Sequence, residues 1–272
     1  MKVACVQISS TNNIDDNLKS LDGLVRAAAQ AGAQLICTPE NSCYLGGADD
    51  DKLVAAFFEA DHPAIPFFQA LAKELGVYIS VGSLSIKLSD TRLINRSYLF
   101  DPSGISIAQY DKIHLFDVTL PNGDVYAESK FYDAGSEIAH VKTPLGHIGL
   151  SICYDVRFPA LYRRYALNGA EIMLIPAAFT VPTGEAHWHV LMRARAIETG
   201  SFVIAAAQTG THAGGRKTYG HSVIIDPWGR VLSDAGTDVG FITADIDLGL
   251  VHKTRGQIPS LQHGQTIHGE LL

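Results

Sequence analysis

The chain has 272 residues, 47% apolar and 18% charged, which supplies a core for one large domain or two small ones and excludes disorder, collagen or a coiled coil as the main state. With 21 Lys+Arg against 28 Asp+Glu the formal charge is −7, and no dense basic block offers itself to a nucleic acid backbone. No run approaches the roughly 18 apolar residues of a bilayer span, and the first apolar run is too short for a secretory leader, so a cytoplasmic setting without membrane attachment is expected.

Strands and helices alternate from the start. The pattern predicts a strand over Val3–Ile8, a helix over Ile14–Ala31 ended by Gly32, and a second strand over Gln34–Thr38 followed at once by Pro39-Glu40-Asn41. Helices are predicted near Lys52–Glu59 and Pro66–Leu75, with Gly76 closing the second. Tyr78–Ile86 and Ile94–Phe100 are β-rich, and Asp101-Pro102-Ser103-Gly104 turns the chain into Ile105–Tyr110, which delivers Asp111-Lys112. Leu115–Glu137, with Pro121-Asn122-Gly123 inside it, lacks a period, and loops of that length are more often functional than idle. Strands Ile138–Lys142 and Ile148–Ile152 follow, the second running into Cys153. A helix (Pro159–Leu167), a strand (Glu171–Ile175), a helix (Glu185–Glu198) and a strand (Phe202–Ala207) come next. Gly210–Gly220 reads as a loop, and Val223–Ile225, Val231–Ser233 and Phe241–Ile246 complete the sheet. From about residue 257 a periodless tail wraps the surface or meets a partner chain. No linker divides 1–272, so a single α/β domain is expected, with helices on one large mixed sheet or on two sheets face to face.

Open α/β sheets place ligands beyond the carboxyl ends of their strands. Glu40, Lys112 and Cys153 each follow such an end, and together they form an acid, an amine and a thiol suited to nucleophilic catalysis. Glu40, with a pKa raised by burial, takes the Cys153 proton; Lys112 and a backbone N–H after Cys153 stabilise an oxyanion; Glu40 then protonates the departing amine. Taken singly these residues are weak signals, because a cysteine at a strand end is more often a small core residue and a Glu after Pro more often caps a loop.

The joint pattern resembles the nitrilase superfamily of carbon–nitrogen hydrolases. The resemblance rests on Thr38-Pro39-Glu40-Asn41, on Tyr110-Asp111-Lys112-Ile113-His114-Leu115-Phe116-Asp117 and on Ser151-Ile152-Cys153-Tyr154-Asp155-Val156-Arg157-Phe158-Pro159, and it covers essentially the whole chain. It implies an α-β-β-α sandwich that dimerises, a small-molecule amide as substrate, no cofactor and no metal. It implies Glu40, Lys112 and Cys153 as the catalytic set, with Glu128 in Ala127-Glu128-Ser129 as a second glutamate that positions Lys112. Cys-Tyr-Asp-x-Arg-Phe-Pro is similar to amidase branches rather than true nitrilases. Ala186-His187-Trp188, Arg193-Ala194-Arg195-Ala196-Ile197-Glu198-Thr199, Tyr219-Gly220-His221-Ser222 and Asp226-Pro227-Trp228-Gly229 look most like the branch acting on deaminated glutathione. The alternatives are the ω-amidase branch, acting on 2-oxoglutaramate, another aliphatic amide hydrolase, or a non-catalytic binding protein on the same fold.

A 2-oxo acid requires a cation for its carboxylate, and Arg157 is the candidate, against the alternative that it pairs with Asp155. Tyr154, Phe179 and Thr180 are the expected pocket residues by resemblance, together with the segment Asp117–Asp133; the competing reading of Phe179 is core packing. Other signals carry less. His187-Trp188-His189 offers no obvious third metal ligand. Gly210–Thr218 fails the phosphate-loop pattern because Arg216 separates Gly215 from Lys217. Asn95-Arg96-Ser97 is a glycosylation sequon without secretory context. Cys5, Cys37 and Cys43 read as packing residues, and no C-x-x-C pair is present.

Overall fold

Val3 to Gln7 of the first strand are all buried, but side-chain direction alternates, and the two faces go to different cores. In strand Lys2–Gln7, Val3 and Cys5 join Leu35 and Cys37 of strand Leu35–Cys37 in an apolar cluster with Ile148, Leu150 and Ile172. Ala4, Val6 and Ile36 point the other way, into a cluster with Leu21, Val25, Phe68 and Leu71. The computed structural model describes residues 1–46, 49–121 and 123–265, with helices α1 (Ile14–Gln30), α2 (Asp49–Ala55), α3 (Ala64–Leu75), α4 (Pro159–Leu167), α5 (Val181–Thr199) and α6 (Gly249–Gln257). The second cluster is therefore sheet against α1 and α3, and the first is sheet against sheet.

The first sheet runs Gly240–Asp245, Lys2–Gln7, Leu35–Cys37, Tyr78–Lys87, Leu93–Phe100, Ser106–Asp111, with Phe57–Phe58 and Tyr132–Asp133 added beside Tyr78–Lys87 and Leu93–Phe100. The second runs Ala139–Thr143, Gly146–Leu150, Ile172–Leu174, Phe202–Ala205, Val223–Ile225, Val231–Asp234. Tyr162 and Tyr165 of α4 and Trp188 and Met192 of α5 pack on it. The expected α-β-β-α sandwich is what forms.

Strand direction determines where chemistry can gather. Lys2–Gln7, Leu35–Cys37 and Tyr78–Lys87 are mutually parallel. Leu93–Phe100 is antiparallel to Tyr78–Lys87, and Ser106–Asp111 is antiparallel to Leu93–Phe100. Strands Leu35–Cys37 and Ser106–Asp111 thus end at one rim, and Leu93–Phe100 begins there. In the second sheet Gly146–Leu150, Ile172–Leu174 and Phe202–Ala205 are parallel and end together. A parallel bridge between Ile8 and Gln208 joins the two rims.

Local signals mark the helix ends. Asn13 caps α1, its Oδ1 accepting the Asp16 N–H at 3.2 Å, and Gly76 ends α3 at φ 65°. Three expectations change, and one element was not expected. The helix predicted over 52–59 is α2 followed by Phe57–Phe58, because the Glu59 carboxylate is drawn to Arg96 and to the Tyr98 hydroxyl. The segment read as a loop over 115–137 contains a hairpin, Asp117–Thr119 with Val125–Ala127, then a 3₁₀ turn over Glu128–Lys130. Its strands are too short to print a period, and Asp117 Oδ1 accepting the Ser129 N–H at 3.0 Å ties turn to hairpin. The loop over 210–220 is likewise a hairpin, Thr209–Thr211 with Lys217–Tyr219. Helix α6 carries no amphipathic pattern, burying only Val251 and Thr254, so the sequence does not announce it. Of the tail, Leu261 O accepts from Arg163 of α4; 266–272, and Asn122 of the expected turn, lie outside the described residues.

Candidate active site

Each strand-end residue arrives by a distinct local device. The segment leading to Glu40 presses its backbone onto the neighbouring strand, Tyr78–Lys87: a Cβ at Gly82 would lie 2.2 Å from Thr38 O and 2.3 Å from Pro39 O. Glycine there is a condition for Glu40 to sit where it does. Lys112 directly follows strand Ser106–Asp111, its N–H bonded to Asn95 O at 2.9 Å. Cys153 opens a 3₁₀ turn at φ 50°, a left-handed conformation costing a non-glycine residue about 1–2 kcal/mol. Hydrogen bonds hold it there: Cys153 N–H to Pro176 O at 2.8 Å, and Ile152 N–H to Asp155 Oδ2 at 2.9 Å.

The Lys112 ammonium is the centre of the site. Its Nζ lies 2.9 Å from Glu40 Oε1 and 3.1 and 2.9 Å from the two Glu128 oxygens, and its side chain is 2% exposed. Burial opposes the charge, but Glu128 and Glu40 outweigh it and hold the amine well above the ordinary lysine range. Glu128 is fixed in turn by the Phe116 N–H at 2.7 Å. Glu40 accepts from Asn95 Nδ2 at 3.0 Å and, through Oε2, from the Ala178 N–H at 2.9 Å. The expectation of a burial-raised Glu40 is corrected. Burial does push the carboxyl up, but the Lys112 charge, a hydrogen bond from Cys153 and the nearby Arg216 prevail and hold it below the usual carboxylate range. Cys153 goes the other way: burial and the Glu40 charge push its thiol well up, against Lys112 and the Ala178 N–H. The resting site is therefore thiol, carboxylate and ammonium.

These groups open onto a cavity of about 450 Å³. Glu40, Lys112, Glu128, Cys153, Tyr154, Phe179 and Thr180 line it, as does Asp124–Glu128 of the hairpin segment. Phe179 also meets the Trp188 ring edge-on, so its packing and lining roles coexist. Arg157 is different. It is not among the lining residues, and it makes no pair with Asp155, whose oxygens are taken by Tyr110, His114 and Ile152 N–H. Instead its guanidinium lies over the Tyr154 and Phe179 rings and Nη2 sits 3.2 Å from His187 Nδ1.

Several residues were invisible to sequence reasoning. Asn95, set aside as a sequon, is 1% exposed and reaches both glutamates, at 3.0 Å to Glu40 and 3.4 Å to Glu128. It reaches the site because its strand, Leu93–Phe100, runs antiparallel to Tyr78–Lys87 and Ser106–Asp111 and so begins at the rim where they end. Gln208 Nε2 holds Glu40 O at 3.1 Å and Ser10 Oγ at 2.7 Å. Asp155 joins the Cys153 turn to the Lys112 segment through Tyr110 Oη at 2.7 Å. Gly214, Gly215 and Arg216 of the dismissed glycine loop line the cavity. Elsewhere, folding supplies His189 with two neighbours that the sequence separates: Asp234 Oδ2 at 2.8 Å, and His221, itself 2.9 Å from Asp234 Oδ1.

Comparison with known proteins agrees with this arrangement. The carbon–nitrogen hydrolase family model matches residues 2–256. A deaminated glutathione amidase of Synechocystis is 42% identical over 264 residues, covering 96% of each chain. The Caenorhabditis elegans NitFhit structure is 36% identical with TM-score 0.91 over 97% of this chain, which spans 65% of that longer one. An amidase from Nesterenkonia, solved as a mutant with acrylamide added to its active-site cysteine, is 25% identical with TM-score 0.79, covering 95% of this chain and 98% of that one. This chain belongs to the carbon–nitrogen hydrolase family.

Proposed function

We propose that the chain hydrolyses the amide of deaminated glutathione to 2-oxoglutarate and cysteinylglycine through a thioester on Cys153. The observation that carries this reading is the convergence of Glu40, Lys112, Glu128 and Cys153 on one cavity wall. The likeness to the Synechocystis amidase supports the substrate, and the acrylamide-reactive cysteine of the Nesterenkonia amidase supports the nucleophile.

In this mechanism Glu40 accepts the thiol proton as Sγ bonds to the amide carbon. The oxyanion that forms is stabilised by the Lys112 ammonium and a backbone N–H of the Cys153 turn; removing one such donor typically costs about 2.7–4 kcal/mol. Glu40 returns its proton to the amide nitrogen, the C–N bond breaks and cysteinylglycine leaves. Water then replaces the amine. Glu40 takes a proton from it, the hydroxide attacks the thioester carbon, and C–S cleavage returns the proton to sulfur. Glu128 keeps Lys112 aimed through its 3.1 and 2.9 Å contacts, and Tyr154, Phe179 and Thr180 shape the acyl pocket.

The same reading treats 1–272 as a single cytoplasmic domain that works as a homodimer without cofactor or metal. No described helix is long and apolar enough to cross a membrane. The test is a two-product assay, offering deaminated glutathione and 2-oxoglutaramate separately and following cysteinylglycine and ammonia, with Cys153→Ala as control. A much larger kcat/KM for the first substrate supports the proposal; preference for the second makes the chain an ω-amidase with the same thiol mechanism. Turnover of neither removes the substrate and leaves the site.

A further inference from the structure

With Arg157 absent from the lining, the cavity still contains a cation without a carboxylate. Three acidic and three basic side chains line it: Glu40, Asp124 and Glu128, and Lys52, Lys112 and Arg216. Lys112 is engaged by Glu40 and Glu128. Arg216 presents five N–H donors, yet among the described residues it makes one hydrogen bond, from Nη2 to Ala178 O at 3.0 Å, and no ion pair. Its Nε is buried without a partner, and its guanidinium rests over the Tyr126 ring, 5.6 Å from the centroid. Leaving a buried charged donor short of acceptors is costly, and a ligand that supplies them recovers that cost on binding.

The scaffold around Arg216 is stiff. His212 N–H donates to Arg216 O at 2.8 Å, and the His212 ring spans Ser10 O at 2.8 Å and Thr218 Oγ1 at 2.7 Å. Tyr219 N–H donates to Phe179 O at 3.0 Å, fastening the hairpin to the pocket wall. A guanidinium held this way meets a carboxylate with little entropy to lose. Its distance from the chemistry is also set, because a single residue lies between: the Ala178 C=O accepts from Arg216 while the Ala178 N–H donates to Glu40.

We propose that Arg216 binds the carboxylate of a 2-oxo acid amide on the acyl side of the scissile bond, and thereby selects the substrate class. This deepens the proposed amide hydrolysis and rests on it. The short chain between the scissile carbonyl and the 2-oxo acid carboxylate suits a cation one residue from Glu40. The glycine carboxylate of cysteinylglycine lies farther along the leaving group. The role is one of binding and selectivity; no bond is made or broken at Arg216.

The test separates this role from the reaction itself. First, 2-oxoglutarate is titrated calorimetrically into Cys153→Ala and into Cys153→Ala with Arg216→Gln or Arg216→Lys. Arg216→Gln is expected to weaken binding about 100-fold, the scale of losing one partner of a buried charge pair, and Arg216→Lys to recover part of it. Second, kcat/KM is compared for 2-oxoglutaramate, deaminated glutathione and the uncharged pentanamide in wild type and Arg216→Gln. The ratios of the first two to pentanamide are expected to fall together by a similar factor, through KM. Equal 2-oxoglutarate affinity in the two backgrounds, or no binding in Cys153→Ala, overturns the proposal, as does a loss confined to deaminated glutathione, which places the glycine carboxylate at Arg216. A wild type inactive on deaminated glutathione defeats the substrate reading alone, and the titration still decides Arg216.

Discussion

Two thiol regions of this molecule look alike by burial and differ in everything else. Cys5 and Cys37 sit opposite each other on adjacent parallel strands, inside the sheet-against-sheet core. Cys153 terminates the second sheet's rim at φ 50°. All are buried, and burial raises the thiol pKa of each. Burial and pKa direction therefore do not identify the nucleophile. Cys153 is set apart by its neighbours: a carboxylate hydrogen-bonded to its thiol, an ammonium whose charge acts on it, and a cavity in front of it. A thiol with no base beside it stays inert however it is shifted.

The largest expected break in this comparison is Cys153→Ala. Turnover should fall by about 10⁴-fold or more while the circular dichroism spectrum and melting temperature stay at wild-type values, since the sulfur contributes little packing at a cavity wall. Wild-type rates in this variant eliminate the thioester route.

Lys112→Met removes the charge that separates the two regions. Glu40 and Glu128 then share Asn95 with no cation between them, and breaking a buried pair this way costs about 3–5 kcal/mol. Two adjacent carboxylates raise the pKa of the pair above its unfolded value, so the folded state holds protons that the unfolded state has released. Stability then falls as pH rises from the unfolded carboxylate value, about 4, up through the raised pKa of the folded pair. Urea unfolding should show a larger deficit at pH 8 than at pH 5; an equal deficit removes like-charge repulsion as the cause.

His62 sharpens the comparison from outside the thiols, as a buried group shifted with no chemistry attached. It is 5% exposed, accepts the Ala64 N–H at Nδ1, and is pushed down to about 4 by burial. Its folded pKa lies below the unfolded value of about 6.5, so protonation favours unfolding. The stability it allows at neutral pH is lost as pH falls from about 6.5 toward 4, by up to about 3 kcal/mol. His62→Gln should flatten that segment of the stability–pH curve, measured by denaturant titration at several pH values, without altering kcat.

The smallest effect is expected at the inert thiols. Cys37→Ala should lower stability by about 1–2 kcal/mol through lost packing and leave kcat/KM for the amide substrate at the wild-type level.

Much of this was legible in the chain. Glu40, Lys112 and Cys153 stand within three residues of strand ends, and that position survives folding because parallel strands end at a common rim. The helix caps at Asn13 and Gly76 were readable for the same reason: they are local. The misreadings share one cause. Asn95 sits inside a strand, and its value depends on a strand reversal that no local pattern encodes. Arg216 stands in a hairpin of three-residue strands, too short for a period. Arg157 stands beside Cys153 in sequence, yet the turn at φ 50° leads it onto the Tyr154 and Phe179 rings, away from the cavity lining.

By itself the sequence determined the alternation of strands and helices, the chemistry of the catalytic trio and the family, because these reside in residue types, short spacings and strand ends. The tertiary structure decided protonation and which side chains line the cavity. Whether burial or the Lys112 charge governs Glu40, and which arginine reaches the cavity, depends on distances between segments brought together by two separate sheets. Coulomb interactions and hydrogen bonds respond to those distances alone.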